Sequence, residues 1–419
     1  MRKGFIDSLY CARIVLMVHV IRELYHHRYS LEEIKNNQLH ELYLAMMLKT
    51  LGLSLIGVFV PVYLFKLGHG LETISLFYVI VYGVRIFSDY VAAWLTGYFG
   101  PKHMMIVSHI FLIISLAMLL TLKTYNWPLW YVAVITSIAT GFFFVPYHIE
   151  FSKLQSSTHG GSQIGTMYRT GKIAAALGPM LGGIIATYAG VHVVIVIALL
   201  FIMMSAIPLM MGPEPVRKRQ HITLRGFPWQ KVRRDAVSNM ALNVDQMTNM
   251  VGWPLYVAMF IFVDNAYLGV GTITSISLVV TIAMVGVYGK KIDSGKGWQL
   301  MRFGVAGSFL VNMSRVFIRG AAGVFGLSLI VDVLTSAVRM PYTKGLYSAA
   351  SSHEGYRDAY FGVIFFTTNV ARTSTFLVVY LLVLSTSDAK QALHVMFLLA
   401  AVTILGAMLS NFKALNNDR

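Results

Sequence analysis

The chain has one cysteine, Cys11, which excludes an internal disulfide and a cysteine-based metal cluster. Charge is the second shortage. Asp, Glu, Lys and Arg make up 12% of the 419 residues, about half of the roughly 25% found in soluble domains. Acidic residues are scarcer than basic ones, 18 Asp and Glu against 34 Lys and Arg, for a formal net charge of +16. No HExxH, Walker-type loop or GxSxG stands where it could act, so zinc hydrolysis, acyl-enzyme chemistry and ATP-driven pumping by this chain lack sequence support. No enzyme activity and no cofactor are expected. The alternating strands of an outer-membrane barrel, about ten residues each, are missing too.

What is present is apolar. Hydrophobic residues account for 56% of the sequence, in runs of about 20 that suffice to cross a hydrocarbon core roughly 30 Å thick. This predicts an all-α polytopic membrane protein with 12 transmembrane helices. The spans fall near 42–65, 73–97, 104–122, 128–151, 164–188, 191–211, 238–262, 267–288, 299–317, 322–343, 359–384 and 391–411. With the N-terminus placed inside, the outer loops hold only Lys66, Lys123, Arg319 and Lys390, and most other cations lie in the inner segments. That positive-inside bias puts both termini in the cytoplasm and the protein in the cytoplasmic membrane. It also accounts for the basic balance without nucleic acid.

The pattern divides the chain into an N-terminal segment 1–41, a six-helix half 42–212, a linker 213–236, a second six-helix half 237–412 and a tail 413–419. Apolar residues at helical spacing, with Arg13, Arg22 and Arg28 nearby, predict an amphipathic N-terminal helix on the cytoplasmic leaflet. The basic, proline-containing linker is expected to lie against anionic headgroups. Internal repetition points to a parallel repeat. Pro61 and Pro254, each between a Gly and a Tyr, are 193 positions apart, and Pro146 and Pro341 are 195 apart. Two pseudo-symmetric halves of this kind place a binding site between them at mid-membrane.

Span 5 carries "GTMYRTGKIAAALGPMLGG". Gly165, Gly178, Pro179, Gly182 and Gly183 fit the fifth-helix antiporter signature of the major facilitator superfamily, with Ala174 in place of one glycine. With twelve spans, a basic central loop and internal ends, the chain resembles that superfamily over residues 42–412. The resemblance implies two halves that rock about a central site, with the span-5 glycines packing tightly at the pseudo-twofold axis. Small residues allow such close approach in lipid. The family's loop between its second and third helices departs from the pattern: Gly97 and Tyr98 stand where Asp and Arg are expected, and Gly100 and Lys102 remain. In the second half, Gly286, Lys290, Lys291 and Asp293 echo it.

Ionisable residues at mid-span are costly to insert and mark function by default. Arg85, Gln246, Asn249, Arg339, Asn369 and Arg372 are candidates for binding substrate. Asp89, Asp245 and Asp332 are candidates for proton coupling. Arg85 and Asp89, four apart, alternatively neutralise each other on one helix face. Gly165, Gly178, Pro179, Gly182, Gly183, Pro146 and Pro341 are expected to act in packing and gating. Lys49, Arg169 and Lys172 read as cations snorkelling to the cytoplasmic boundary, with Lys172 alternatively lining the cavity mouth. Arg315, beside Asn312, reads as snorkelling at the outer end of span 9, and His148 and Glu150 as gate residues.

The arginines suit a carboxylate or phosphate. The expectation is a monomeric secondary active transporter for a small anionic or zwitterionic solute, working in the bilayer with a coupling proton or cation. Drug/proton antiport, lipid or lysolipid flipping and a non-transporting scaffold or sensor are the alternatives.

Overall fold

The computed structural model describes residues 31–410 apart from 155–159, 213–226, 265 and 353–356, together with residues 412 and 415. The expected N-terminal amphipathic helix falls mostly outside the described residues, as do the first part of the linker and most of the tail. Among the described residues there is no strand.

Twelve spans cross the bundle. In chain order they are span 1 (Leu31–Gly57, resumed as Phe59–Lys66), span 2 (Leu71–Phe99), span 3 (Pro101–Leu120), span 4 (Leu129–Leu154), span 5 (Gly160–Tyr188) and span 6 (Val191–Met211). The second set comprises span 7 (Trp229–Met247, a π turn Thr248–Gly252, then Trp253–Phe260), span 8 (Ala266–Asp293), span 9 (Gly297–Ser314), span 10 (Ala321–Ser352), span 11 (Arg357–Thr386) and span 12 (Ala389–Ile404). Ten of these are long and apolar enough to cross a membrane by length and composition alone. Spans 7 and 9 are the exceptions. Span 7 is rich in Asn, Asp and Gln and breaks at its π turn, and span 9 carries Gln299, Arg302 and Asn312 within 18 residues. Polar helices survive at membrane depth only when neighbours shield them, and both are packed against span 12. Residues 31–41, expected in the N-terminal segment, begin the helix of span 1, and the helix of span 7 begins at Trp229, inside the expected linker.

The packing has two halves. In the first, span 1 contacts spans 5 and 6, and span 4 contacts spans 2 and 3; in the second, span 10 contacts spans 8 and 9, and span 7 contacts spans 11 and 12. Two extensive helix pairs cross between the halves, span 2 with span 11 and span 5 with span 8. Each pair maps onto the other when every span moves on by six, as a parallel repeat requires. The turns repeat as well: Gly100 (φ 88°) ends span 2 and Gly295 (φ 77°) follows span 8. Both adopt left-handed backbone that other residues enter only with strain.

Apolar side chains close the bundle at both ends. At the end holding the Gly68 turn, one buried cluster runs through Phe59, Tyr78, Ala186, Trp253, Ala266 and Phe376, joining the two halves. There Phe59 meets Tyr267 edge-on at 5.7 Å, and Lys66 Nζ donates to the Val263 carbonyl at 2.6 Å. At the end holding the Gly100 turn, a second cluster joins Tyr147 and Phe151 to Tyr347 and Phe361. His148 and the Tyr347 hydroxyl lie 2.6 Å apart in that seal. Pro146 and Pro341 sit inside spans 4 and 10, just inward of it. The molecule is sealed at both ends around a polar middle.

Candidate functional site

The polar middle contains three networks. The first crosses between the halves. Arg85 and Asp89, stacked one turn apart on span 2, form a buried ion pair at 3.3 Å. Asn369 of span 11, fully buried, donates to Asp89 Oδ2 at 2.6 Å. Gly141 of span 4 makes room for the carboxylate, since a side chain there would meet Asp89 Oδ1 at 2.5 Å. The four-residue spacing thus yields the pair, and Asn369 ties it to the other half.

The second network lies beside it. Arg372, one turn beyond Asn369, donates from Nε to Asn243 Oδ1 at 3.0 Å and from Nη2 to Gln246 Oε1 at 2.9 Å. Its guanidinium lies 5.2 Å from the ring centre of Tyr82, which stacks with Tyr78 and Phe376. Among the described residues, no carboxylate sits within ion-pair distance of Arg372. Arg339 of span 10 donates to the Leu242 carbonyl at 2.7 Å and lies within electrostatic reach of Arg372 and of Lys172. Lys172 in turn faces Asp332, whose Oδ2 is 2.7 Å from Ser277 Oγ. Tyr82, Lys172, Gln246, Asp332, Arg339 and Arg372 are all half-buried, unlike the fully enclosed Arg85 and Asp89. They come from spans 2, 5, 7, 10 and 11 and face the space between the halves.

The third network belongs to the second half alone. Asp245 accepts from Asn312 at 2.7 Å and from Asn249 at 3.0 Å. Arg315 donates to the amide oxygens of the same two residues, both at 2.7 Å. It is completely buried, against the rings of Trp253 and Phe397.

Two expectations are corrected by these placements. Arg315 does not snorkel: a short 3-10 turn, Arg315–Phe317, ends span 9 and turns the side chain inward, where amides and rings replace the water it would otherwise seek. Lys49 does not snorkel either. It is 2% exposed, its Nζ lies 3.3 Å from the ring centre of Phe143, and no hydrogen-bond partner reaches that nitrogen among the described residues. Arg169 is exposed, whereas Lys172 turns inward. Desolvating an ammonium costs several kcal/mol, while attraction to a ring returns about 2 kcal/mol. Lys49→Met is therefore expected to raise the melting temperature. A fall would show that the cation is held by more than the ring.

The span-5 glycines divide between two partners. A side chain at Gly178 or Gly182 would strike Ser54 or Leu55 of span 1, and one at Gly183 would meet the Tyr267 carbonyl of span 8 at 2.7 Å. Just after Pro179, the Met180 N–H donates to Ser275 of span 8 at 2.8 Å. Gly165 lies in the same helix, with its surroundings outside the described residues. In the span 2–3 loop, where the Asp and Arg of the family pattern are replaced, Lys102 pairs with Glu41 of span 1 at 2.8 Å. In the second half, Lys344 of span 10 pairs with Asp293 at the end of span 8 at 3.2 Å, a different pair of spans. Asn249, one of the two amides on Arg315, was among the candidates from the sequence, whereas Arg315 itself, Asn312, Asn243 and Tyr82 were not singled out as site residues. The polar character of span 7 was the available signal.

A twelve-helix bundle of two repeated halves around a polar middle has the build of a membrane transporter for small molecules. Residues 42–374 match the model of the Major Facilitator Superfamily, and the chain belongs to that family. The human organic anion transporter MFSD10 (TETRAN) is similar in structure, with a TM-score of 0.66 at 14% identity, over 89% of this chain and 99% of that one. The E. coli fucose:proton symporter FucP gives 0.63 at 12% identity, over 89% and 98% of the two chains. FucP in its outward conformation gives 0.60 at 13% identity, with the same coverage. Identities this low establish the shared fold. Comparison of the sequence with curated proteins finds no match.

Proposed function

We propose that this protein is a secondary active transporter of the cytoplasmic membrane that moves a small anionic or zwitterionic solute by alternating access. Arg372 is its anchor, and a proton drives the exchange. The observation that carries this reading is the state of Arg372. It is a guanidinium between the two halves, held by two neutral amide oxygens, while the nearby Asp89 is taken by Arg85 and Asn369. A guanidinium without a counter-ion in a low-dielectric site favours an anion that presents two oxygens. Arg339 and Lys172 add to the positive field, and Gln246 offers polar contacts to the rest of the solute. The aromatic stack of Tyr82, Tyr78 and Phe376 supplies an apolar wall.

Asp89, Asp245 and Asp332 are the carboxylates available for coupling. Antiport agrees with the span-5 signature, and the monomer is the working unit. Both termini lie in the cytoplasm, which makes the Gly100 end the inner one. Among proteins of this fold, one neighbour is named an organic anion transporter and another a sugar:proton symporter, and both properties agree with the reading.

The test is thermal stability of the purified protein against carboxylates, phosphates, zwitterionic amino acids, organic cations and lysolipids, since a ligand that binds the folded state raises its melting temperature. A shift with one anion or zwitterion class, lost in Arg372→Ala, is the expected result. A shift with cations or lysolipids alone would overturn it.

A further inference from the structure

Asp245 and Arg315 do not touch. Two asparagine amides stand between them, and the chemistry of the four groups fixes how each is oriented. A guanidinium only donates hydrogen bonds, so Asn249 and Asn312 must both turn their oxygens toward Arg315. Their NH2 groups then necessarily face Asp245, one on each carboxylate oxygen, at 3.0 and 2.7 Å. With a donor on each oxygen and a cation beyond the amides, the arrangement suits Asp245 as an ionised, acceptor-only carboxylate.

A proton on Asp245 weakens that arrangement. The protonated oxygen accepts more weakly from its N–H donor, and the new O–H needs an acceptor, either a hydroxyl lining the cleft beside it, such as that of Thr335, or an amide that rotates to present its oxygen. Arg315 loses the opposite charge beyond the amides in either case, and it loses a hydrogen bond as well where an amide rotates. Losing the opposite charge raises the cost of holding a fully buried cation in place.

What Arg315 supports lies toward the Gly68 end. Its guanidinium is 4.9 Å from the ring centre of Trp253 and 5.6 Å from that of Phe397. Both rings belong to the apolar seal that joins the halves there. Asn249 sits in the π turn Thr248–Gly252, and Trp253 follows it directly, so one distortion of span 7 holds both the amide and the ring.

We propose that Asp245 is the proton site and that Asn249, Asn312 and Arg315 are positioning residues that transmit its charge state to the Gly68-end seal. Protonation releases Arg315 from Trp253 and loosens the seal, while deprotonation restores it. This deepens the transport reading and rests on it for the purpose of coupling. It also separates the three candidate carboxylates: Asp89 is clasped by Arg85 and Asn369, and Asp332 is bonded to Ser277. The charged groups that face the network are Arg339 from span 10, within reach of Asp245, and Asp332, within reach of Arg315. From span 12, His394 packs on Phe397 and Tyr256. The carboxylate borders a tight cleft lined by Asn249, Ser308, Asn312 and Thr335.

The experiment needs no solute. Ala266, buried in the Gly68-end seal, is replaced by cysteine in a Cys11→Ser background, and its labelling by a membrane-impermeant maleimide is timed in mildly acidic and mildly alkaline buffer. A free-thiol peptide corrects for the pH dependence of the reagent. Acid is expected to speed labelling about fivefold or more, the lower end of typical coupling between sites. Asp245→Asn is expected to label at the fast rate in both buffers, whereas Asp89→Asn and Asp332→Asn keep the pH response. Asn312→Ala and Asn249→Ala, which retain the carboxylate, are expected to blunt the response; they also carry the test if Asp245→Asn does not fold.

An Asp245→Asn protein that responds to pH as its parent does would overturn the proposal. So would an unchanged profile in both asparagine variants. Uptake of anions into liposomes is measured separately: failure of transport with the pH response intact removes the transport reading and leaves the switch, and the converse removes only the switch.

Discussion

Arg372→Ala is expected to abolish solute binding and transport while leaving the bundle folded. The guanidinium is half-buried, so its removal opens space that the solute or water can fill. Its present partners, the Asn243 and Gln246 side chains, are neutral amides rather than charges left stranded. The loss therefore falls on the ligand. A desolvated, charge-assisted pair broken on one side costs about 2–5 kcal/mol, so affinity in a thermal-shift or uptake titration should fall by roughly thirtyfold to several-thousandfold. Arg372→Lys is the sharper comparison. It keeps the charge but not the fork, so an anion held by two oxygens should recover only part of the affinity. Full recovery with lysine would mean that Arg372 supplies charge alone, and unchanged transport in Arg372→Ala would move the site elsewhere.

The spans, the glycines and the Arg85–Asp89 pair were legible because each is a local pattern. Length and hydropathy mark a crossing helix, and a four-residue spacing brings two side chains together whatever surrounds the helix. Contacts between distant spans left no such mark. Nothing near Asn369 in sequence indicates that it donates to Asp89, 280 positions away. Distance from the end of a span was also a poor guide to Lys49 and Arg315. Snorkelling is open only to a side chain that faces lipid or water, and which way a helix faces is decided by its neighbours. The rings of Phe143, Trp253 and Phe397 mark the two inward-facing sites. The π turn of span 7 is likewise visible only in the fold, although it determines where Asn249 and Trp253 lie.

Gly182 and Gly183 are adjacent in sequence and buried, yet alanine is expected to have different effects at the two positions. A methyl at Gly182 strikes the Leu55 carbonyl and Phe59 of span 1, which belong to the same half and stay in contact whichever end of the transporter is open. Gly182→Ala should therefore lower the melting temperature, by an overpacking cost of about 1–3 kcal/mol. A methyl at Gly183 meets the Tyr267 carbonyl at 2.7 Å and approaches the Gly271 Cα at 3.5 Å. Both atoms are backbone and both belong to the other half, so neither retreats as a flexible side chain would. The clash exists only while the Gly68 end is closed, and opening that end relieves it. Gly183→Ala should thus shift the population toward the open state by a similar free energy, about fivefold or more on the coupling scale. The readout is faster maleimide labelling of a cysteine at Ala266, with less effect on melting than Gly182→Ala has. Labelling as slow as in the parent would show that spans 5 and 8 slide to absorb the methyl, and that this contact does not set which end is open.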